Sequence, residues 1–214
     1  MRDACVLIGA GGHGGMVLEI LEDQHPGKVQ GIIDANPSAA TKWGLPFLGD
    51  DSVLHTLAER GFRYFALGLG SIGSGTRRRD VYMQAAAAGL SPIDIRAGTA
   101  IVSPLATIGA GAQLMPRSLV NRGAVLGQNV LINSGAIVEH DCLLEDHIHV
   151  ATGAILCGGV RVGSNVHIGA GAVVRQGLTI GECSVIGAGA VVVKDVLGGS
   201  LMLGVPAQPR ERIG

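Results

Sequence analysis

The residues most suited to proton transfer in this 214-residue chain are His140 and Asp141, which are adjacent in the segment VEHDC. Histidine is the natural base near neutral pH, because its imidazole gains and loses a proton in that range. The chain around the pair, from about residue 100 to 195, is poor in other titratable groups. The sequence therefore predicts a general base at His140.

A second candidate site lies near the start of the chain, where Gly9, Gly11 and Gly14 match the pattern G-x-G-x-x-G. The motif follows an apolar run and precedes a helical one, so it is expected to present backbone N–H groups and a helix N-terminus to a phosphate. Asp34 lies twenty residues beyond Gly14, at the end of the next apolar run. We expect its carboxylate to accept hydrogen bonds from a ribose or a base.

Taken alone, the glycine motif suggests NAD as its ligand. The first part of the chain is too short for two mononucleotide-binding halves, however, and NAD needs both. A single nucleotide on one half-site is the better prediction, with NAD or a purely structural turn as alternatives.

Composition limits the kinds of partner that this protein has. The formal net charge is -1 and only 15% of the residues are charged, so a general attraction to nucleic acid or to an anionic membrane is not expected. Apolar runs are interrupted every few positions, and none approaches the twenty residues of a membrane span. The start shows no secretion signal, and the four cysteines show neither C-x-x-C nor zinc spacing. We expect a cytoplasmic protein with reduced thiols.

The first 95 residues alternate short apolar runs with helical ones, as in a small open parallel sheet covered by helices. Strands are predicted at ACVLIGA, VQGIID, RYFALGLG and SPIDI, and helices at HGGMVLEILEDQ, SVLHTLAERG and TRRRDVYMQAAAAG. Arg77, Arg78 and Arg79 of the last helix are expected to form a solvated face rather than to meet a diphosphate. This part of the chain is therefore predicted to be a Rossmann-like α/β domain.

A different period begins after Gly98. In sixteen consecutive six-residue blocks, starting at Ala100, the third position is always aliphatic. Neither a helix nor a single strand has a six-residue period, but a solenoid has one when each flat face takes six residues and directs an aliphatic side chain inward. These positions are Val102, Ile108, Leu114, Val120, Leu126, Ile132, Val138, Leu144, Val150, Leu156, Val162, Ile168, Val174, Ile180, Ile186 and Val192.

Three such faces make one coil of eighteen residues. Because stacked coils lie about 4.8 Å apart, residues eighteen positions apart are expected to lie above one another. This rule places Gly158 one coil beyond His140 and stacks His149 with His167. It also stacks four glycines at one corner, which leaves room for a narrow ligand, although glycine at a tight corner has a structural explanation as well. They are Gly135, Gly153, Gly171 and Gly189.

With these motifs, the sequence resembles the NeuD/PglD-type sugar acetyltransferases of the hexapeptide-repeat acyltransferase superfamily. The resemblance covers nearly the whole chain and rests most specifically on GAGGHG at 9–14, NSGAIVEHDC at 133–142, His149, and GVPA at 204–207. It implies a Rossmann-like domain over residues 1–95, followed by a left-handed parallel β-helix with a C-terminal cap over residues 96–214. It also implies a homotrimer that binds acetyl-CoA between neighbouring β-helices.

The activity implied by this resemblance is transfer of acetyl from acetyl-CoA to the amino group of a UDP- or GDP-linked 4-amino sugar, a step of glycan biosynthesis. His140 would be the general base, with Asp141 orienting it and stabilising its imidazolium. The backbone N–H of Gly158 would polarise the thioester carbonyl.

The same resemblance implies the residues that bind acetyl-CoA. His149 would contact acetyl-CoA, and Gly158 would meet its thioester carbonyl. The open glycine corner itself, rather than the resemblance, suggests that the pantetheine arm lies along Gly171 and Gly189. GVPA resembles the family segment near the adenine end of CoA, which adds Gly204, although a cap that closes the solenoid is equally compatible. A metal ion is not expected.

By resemblance, the N-terminal domain holds the nucleotide of the sugar substrate. His13 lies within the turn and is placed to reach a phosphate or the sugar, unless it only begins a helix. Asn133 is expected near the sugar, although an asparagine at a β-helix corner is often only a turn residue. The predicted substrate-binding residues are Gly11, Gly12, His13, Gly14, Asp34 and Asn133.

Other activities remain open on the sequence alone. The same histidine would serve O-acetylation of a sugar hydroxyl, as on sialic acid. A β-helix metalloenzyme needs three histidines around zinc, and His140, His149 and His167 are the candidates, since His147 has no expected partner at stacking distance. A β-helix scaffold without activity is a further alternative.

Overall fold

The structure, a computed structural model, describes residues 4–38, 42–70 and 76–211. These residues form two compact units. One contains the described residues up to Gly70 together with Arg77–Ile95, and the other contains those from Arg96 onward. Within the described ranges, no helix has the length and apolar character needed to cross a membrane.

The first unit contains a five-stranded parallel sheet in the order β3-β2-β1-β4-β5. All residues of the central strand β1 are buried, as expected for a parallel strand in the middle of an α/β sheet. The strand order reverses between β1 and β4, and ligands of open α/β sheets bind at the carboxyl ends of the strands beside such a point. The strands are β1 (Ala4–Ile8), β2 (Val29–Ile33), β3 (Phe47–Gly49), β4 (Phe62–Leu67) and β5 (Ser91–Pro92).

Helix α1 (Gly12–Gln24) follows β1, and a 3₁₀-helix (Asp51–Thr56) follows β3. The helix predicted over SVLHTLAERG is thus a 3₁₀-helix, and it ends at Thr56 rather than at Gly61. The N–H of Leu57 donates to the carbonyl of Leu54, and these two leucines are buried. A 3₁₀-helix brings residues three apart to the same side, which suits two leucines at this spacing.

Helix α2 (Arg77–Ala87) buries Val81, Tyr82 and Ala85, and Arg78 is buried on the same face. The prediction that the three arginines form a solvated face is wrong for Arg78. The side chain of Arg77, by contrast, is 61% exposed.

The second unit is the predicted parallel β-helix, a solenoid of mostly two-residue strands in three sheets. Up to β22, neighbouring strands of each sheet pair in parallel and lie eighteen residues apart in the sequence, for example Ile137 with Ile155. The first solenoid sheet contains β7 (Ile101–Val102), β10 (Leu119–Val120), β13 (Ile137–Val138), β16 (Ile155–Leu156), β19 (Val173–Val174) and β22 (Val191–Val192). The second contains β8 (Thr107–Ile108), β11 (Val125–Leu126), β14 (Leu143–Leu144), β17 (Arg161–Val162) and β20 (Thr179–Ile180).

The third solenoid sheet has eight strands and ends in an antiparallel pair that closes the C-terminal end. Its strands are β6 (Ile95–Arg96), β9 (Gln113–Leu114), β12 (Leu131–Ile132), β15 (His149–Val150), β18 (His167–Ile168), β21 (Val185–Ile186), β23 (Leu201–Leu203) and β24 (Gln208–Arg210).

The solenoid core is built from the predicted aliphatic positions. All of them from Leu114 to Val192 are buried, whereas Val102 and Ile108 are only half-buried, because β7 and β8 are the first strands of their sheets. The first position of most blocks is buried as well, with a small residue such as Ala136 or Ala154. Each face therefore directs two side chains inward, one more than the sequence analysis identified.

The corners of the solenoid share one backbone conformation. From Gly111 to Gly189, the sixth residue of every block has a φ in the left-handed region. Glycine adopts this conformation without strain, but six of these positions carry other residues, including Asp141 with φ 59°. The repeated hydrogen bonds between coils hold those residues in the turn, and one of them stands next to the predicted base.

Candidate functional site

His140 and Asp141 lie at a corner of the solenoid, just after β13. His140 Nδ1 is 2.8 Å from the Asp141 carboxylate, and the two side chains are 58% and 71% exposed. Because an ionised carboxylate only accepts hydrogen bonds, this contact places the proton of a neutral His140 on Nδ1. Nε2 is then left with a lone pair, which is the arrangement that a general base needs.

The ring of His140 lies over Gly158, one coil further on. A Cβ at position 158 would stand 2.5 Å from Nε2 and 2.6 Å from Cε1 of His140, so any other residue would displace the ring. The N–H of Gly159 donates to the carbonyl of His140 at 2.9 Å, which fixes the distance between the two coils. Within the described part of the chain, the Gly158 N–H donates no hydrogen bond, so it remains available to a ligand.

The coil before the pair also shapes it. A Cβ at Gly123 would collide with Oδ1 of Asp141, so glycine there leaves room for the carboxylate. Asn121 Nδ2 donates to Glu139 Oε2 at 3.0 Å, and the same oxygen lies 3.4 Å from the N–H of His140. Asn121 and Glu139 are not among the residues predicted from the sequence, although their separation of eighteen residues indicates that they stack.

His149 and His167 stack on the third solenoid sheet as predicted, with ring centroids 4.9 Å apart at 71°. His149 is 6% exposed, and its Nε2 lies 3.3 Å from the Asn133 amide nitrogen. Asn133, predicted near the sugar, thus contacts a predicted cofactor residue. His147 contacts a residue of the neighbouring coil, since its Nδ1 lies 2.9 Å from Asn129 Nδ2, but this partner is an asparagine and not a further histidine for a zinc site.

The four stacked glycines all have φ between 65° and 67°, and a Cβ at any of them would meet nothing within 4 Å. The turn conformation therefore accounts for glycine at Gly171 and Gly189, and the corner is open as predicted. Gly204 also has a positive φ, of 97°, and lies between β23 and β24, which close the solenoid. The structure is thus compatible with both predictions for these glycines.

In the N-terminal unit, the glycines of the first turn differ in what they do. Gly9 has a φ of 97°, and a Cβ at Gly14 would collide with the carbonyl oxygen of Gly9, so both are needed for the turn and for close helix packing. Gly11 and Gly12 are exposed, have no positive φ, and face open space. Neither packing nor turn geometry therefore requires glycine at these two positions. Because Gly11 and Gly12 have no side chains, the start of α1 is left uncovered.

Helix α1 has neither a side-chain cap nor an acidic residue in its first turn. Its first N–H groups and the positive end of its dipole are therefore well placed for an anion. His13, the second residue of α1, is half-buried at this end.

Asp34 has a role inside the protein. Its carboxylate accepts a hydrogen bond from the N–H of Ala10 at 2.7 Å and one from the N–H of Asn36 at 2.8 Å. Trp43 Nε1 donates to the carbonyl of Ala10 at 2.9 Å, so both backbone groups of Ala10 are held. Asp34 thus fixes the turn, and its predicted contact with a ribose or base stays a prediction. No sequence signal pointed to Trp43, which lies 33 residues away.

Among the residues that the structure describes, no three His, Cys, Asp or Glu side chains are close enough together to hold a metal ion. His140, His149 and His167 are therefore not brought together as a zinc site requires. This geometry gives no support to the metalloenzyme alternative.

Burial lowers the pKa of His167, because desolvation disfavours the charged imidazole. The unfolded chain then binds this proton at a higher pH than the folded chain does, so the contribution of His167 to stability is present above about pH 6.5 and is lost as the pH falls. We expect His167→Phe, which removes this proton uptake, to flatten the decline in the free energy of unfolding between about pH 7.5 and pH 5.5. Urea unfolding followed by circular dichroism measures it, and an unchanged slope would contradict the assignment.

Comparison with known proteins identifies the family. Residues 5–85 match the PglD N-terminal domain, and residues 159–194 match the bacterial transferase hexapeptide (six repeats). No curated protein matches the sequence significantly.

Solved structures match nearly the whole chain. PerB from Caulobacter crescentus, in complex with CoA and GDP-perosamine, is 36% identical with a TM-score of 0.88 over 97% of each chain. A histidine-to-asparagine mutant of the perosamine N-acetyltransferase from the same organism, with the same ligands, is 35% identical with a TM-score of 0.89 over 98% of this chain and 97% of that one.

The acetyltransferase domain of PglB from Neisseria gonorrhoeae, in complex with acetyl coenzyme A, is 35% identical with a TM-score of 0.85, covering 98% of this chain and all of that one. These identities, which extend over both units, confirm the family and the fold class predicted from the sequence. The protein belongs to the PglD-type sugar acetyltransferases of the hexapeptide-repeat acyltransferase superfamily.

Proposed function

We propose that this protein transfers the acetyl group of acetyl-CoA to the amino group of a UDP- or GDP-linked 4-amino sugar. The observation that carries the proposal is the placement of His140, whose ring lies over Gly158 with Asp141 on Nδ1 and Nε2 uncommitted. The Caulobacter crescentus relative, solved with CoA and GDP-perosamine, is a perosamine N-acetyltransferase, which supports both the acyl donor and the acceptor amine.

The chemistry needs few groups, because an acetyl thioester is already activated. The sugar amine attacks the thioester carbonyl, and His140 Nε2 accepts the proton that the amine loses. The tetrahedral intermediate then collapses to the amide, and the proton goes to the departing CoA thiolate. Asp141 stabilises the imidazolium formed in between. No covalent enzyme intermediate is required.

The Gly158 N–H is placed to stabilise the negative charge that develops on the thioester carbonyl oxygen. Gly158 lies one coil further on than His140, next to its ring, and its N–H has no hydrogen-bond partner within the described chain. A backbone amide held by parallel pairing costs no reorganisation when negative charge develops on the carbonyl oxygen. We assign it the stabilisation of that oxyanion.

Acetyl-CoA is proposed to bind along the open surface of the solenoid. Its proposed contacts there are His149, Gly171, Gly189 and Gly204. Because His149 is almost covered and already contacts Asn133, its part is to present one edge of its ring, with Asn133 holding it in place. Gly171 and Gly189 leave the corner free of side chains for a long, thin cofactor.

The proposed nucleotide site is the turn between β1 and α1. Gly11 and Gly12 are exposed and carry no side chains to cover their N–H groups, which would receive the diphosphate together with the dipole of α1. His13 would lie beside it. Both acetyl-CoA and nucleotide sugars are metabolites of the cytoplasm, so the proposal places the reaction there.

The proposed assembly is a homotrimer, because acetyl-CoA in this family is expected between neighbouring β-helices. We expect sedimentation equilibrium to give a particle of three times the 21.7 kDa chain mass. A monomer at assay concentrations that still transfers acetyl would contradict this assembly.

The acceptor is tested by incubating the protein with acetyl-CoA and a panel of UDP-, GDP- and CMP-linked sugars, with amino and hydroxyl acceptors matched in each group. Mass spectrometry should show acetylation of a UDP- or GDP-linked 4-amino sugar as a hydroxylamine-stable amide. A hydroxylamine-labile ester on a hydroxyl sugar would establish O-acetylation instead. Absence of any acetylated product would contradict the proposed function.

The base is tested by two substitutions that remove it in different ways. His140→Ala deletes the imidazole, and Gly158→Ala places a methyl group where the ring lies. Each should lower kcat by roughly a hundredfold or more, the usual size of general-base catalysis, while the melting temperature is unchanged.

A matched control is Gly98→Ala, because Gly98 has no positive φ and a Cβ there would meet nothing within 4 Å. This variant should keep full activity. A wild-type kcat in His140→Ala would contradict the proposed role of His140 as general base. A wild-type kcat in Gly158→Ala would show that the imidazole ring does not need its present position.

A further inference from the structure

Arg78 is an unusual charged residue in the N-terminal unit, because it is only 4% exposed. Its Nη1 donates to the carbonyl of Leu69 at 2.6 Å. Nε and Nη2 are buried and have no hydrogen-bond partner within the described ranges. Its neighbours differ, since Arg77 pairs with Asp51 at 3.1 Å and Arg79 with Asp80 at 2.8 Å. Arg78 is thus a buried cation whose charge is not balanced by any carboxylate that the structure describes.

A hydrogen bond links the guanidinium to the segment that packs on the glycine turn. Leu69, which receives its hydrogen bond, follows Gly68 at the carboxyl end of β4. Gly68 packs so closely on Gly9 and Gly14 that a Cβ at position 68 would collide with the Gly9 carbonyl oxygen. The side chain of Leu69 fills the space next to Gly9. Arg78 is therefore connected through two consecutive residues to the turn from which α1 begins.

A buried guanidinium without a counter-ion is costly, because it has lost its hydration and gained no opposite charge. Burial lowers the pKa of Arg78 to about 9, which still leaves it protonated at neutral pH. An anion that binds nearby is attracted more strongly through the protein interior than it would be through water. Two further features point to the same place, namely the uncapped start of α1 and the reversal of strand order between β1 and β4.

We propose that Arg78 provides the fixed positive charge that holds the diphosphate of the nucleotide sugar at the turn between β1 and α1. The N–H groups of Gly11 and Gly12 make the contact, and Arg78 acts from behind them as a positioning residue. This inference rests on the proposed function, since that function supplies the diphosphate. It also gives a role to Arg78, which the sequence placed with Arg77 and Arg79 on a solvated face.

The test compares Arg78→Met, which keeps an unbranched buried side chain without charge, with Arg78→Lys, which keeps the charge. Calorimetry with UDP, GDP, uridine and guanosine gives the affinities. Arg78→Met should weaken UDP or GDP binding by about tenfold or more, leave the nucleosides unaffected, and be largely rescued by Arg78→Lys. In turnover, KM for the nucleotide sugar should rise while kcat and KM for acetyl-CoA stay at wild-type values.

Arg77→Met and Arg79→Met are the matched controls, because both arginines have carboxylate partners and their side chains are 61% and 35% exposed. Both variants should bind UDP and GDP as wild type does. Equal weakening of nucleosides and diphosphates in Arg78→Met would show a merely structural role and overturn the proposal. So would unchanged diphosphate binding. If wild type transfers acetyl but Arg78→Met binds UDP and GDP normally, only this inference fails; if wild type binds none of the four probes and transfers no acetyl, the proposed function fails with it.

A measurement on the wild-type protein covers the case in which Arg78→Met does not fold. The buried Nε–H of Arg78 should give a protected signal in a nitrogen-15 spectrum of the arginine side chains. Addition of UDP or GDP should shift this signal, and uridine or guanosine should not. A signal that is insensitive to the diphosphates overturns the proposal.

Discussion

The β-helix unit depends on the eighteen-residue register between stacked coils. Backbone N–H groups of one coil donate to carbonyls of the next, and this pairing repeats from the first coil to the last. A slip of one residue would turn the buried aliphatic row outward, so the apolar core and the hydrogen bonds enforce the same register. His140 lies over Gly158 as a result of that register. The base is therefore positioned by the backbone rather than by a network of side chains, and the half-exposed pair needs only the carboxylate of Asp141 to set its tautomer.

Much of the solenoid could be predicted because its contacts repeat. The six-residue period implies that residues eighteen positions apart stack on one another. This rule alone predicts the stacking of His149 on His167 and of His140 on Gly158. Contacts that do not repeat could not be found in this way. The bond of Trp43 to Ala10 and the two backbone bonds of Asp34 depend on how distant segments meet in the α/β unit. The same limit applies to the 3₁₀-helix, whose two buried leucines are compatible with several helical periods.

The burial of Arg78 is indicated by its position on the helix, but the run of three arginines points to an exposed surface instead. Its position relative to Val81, Tyr82 and Ala85 follows the spacing of one helical face, which here packs into the core. Three consecutive arginines suggested a solvated surface, but a helix turns by about 100° per residue, so consecutive residues never share a face. Position on the helix, not residue type, decided which arginine was buried.

In the proposed reaction, the two units contribute different kinds of energy. Acetyl transfer from a thioester needs a base and an amide donor, and the proposal assigns both roles to the solenoid, to His140 and to the Gly158 N–H. Of the residues predicted near the sugar, only Asn133 lies in the solenoid. The diphosphate is the most strongly charged part of the substrate, and binding energy from a non-reacting part can position the reacting amine. A glycine turn with an uncapped helix and a buried cation behind it suits this purpose, because it recognises charge rather than the identity of the base. We therefore expect the diphosphate to govern affinity, and the alignment of the amine with His140 to govern rate.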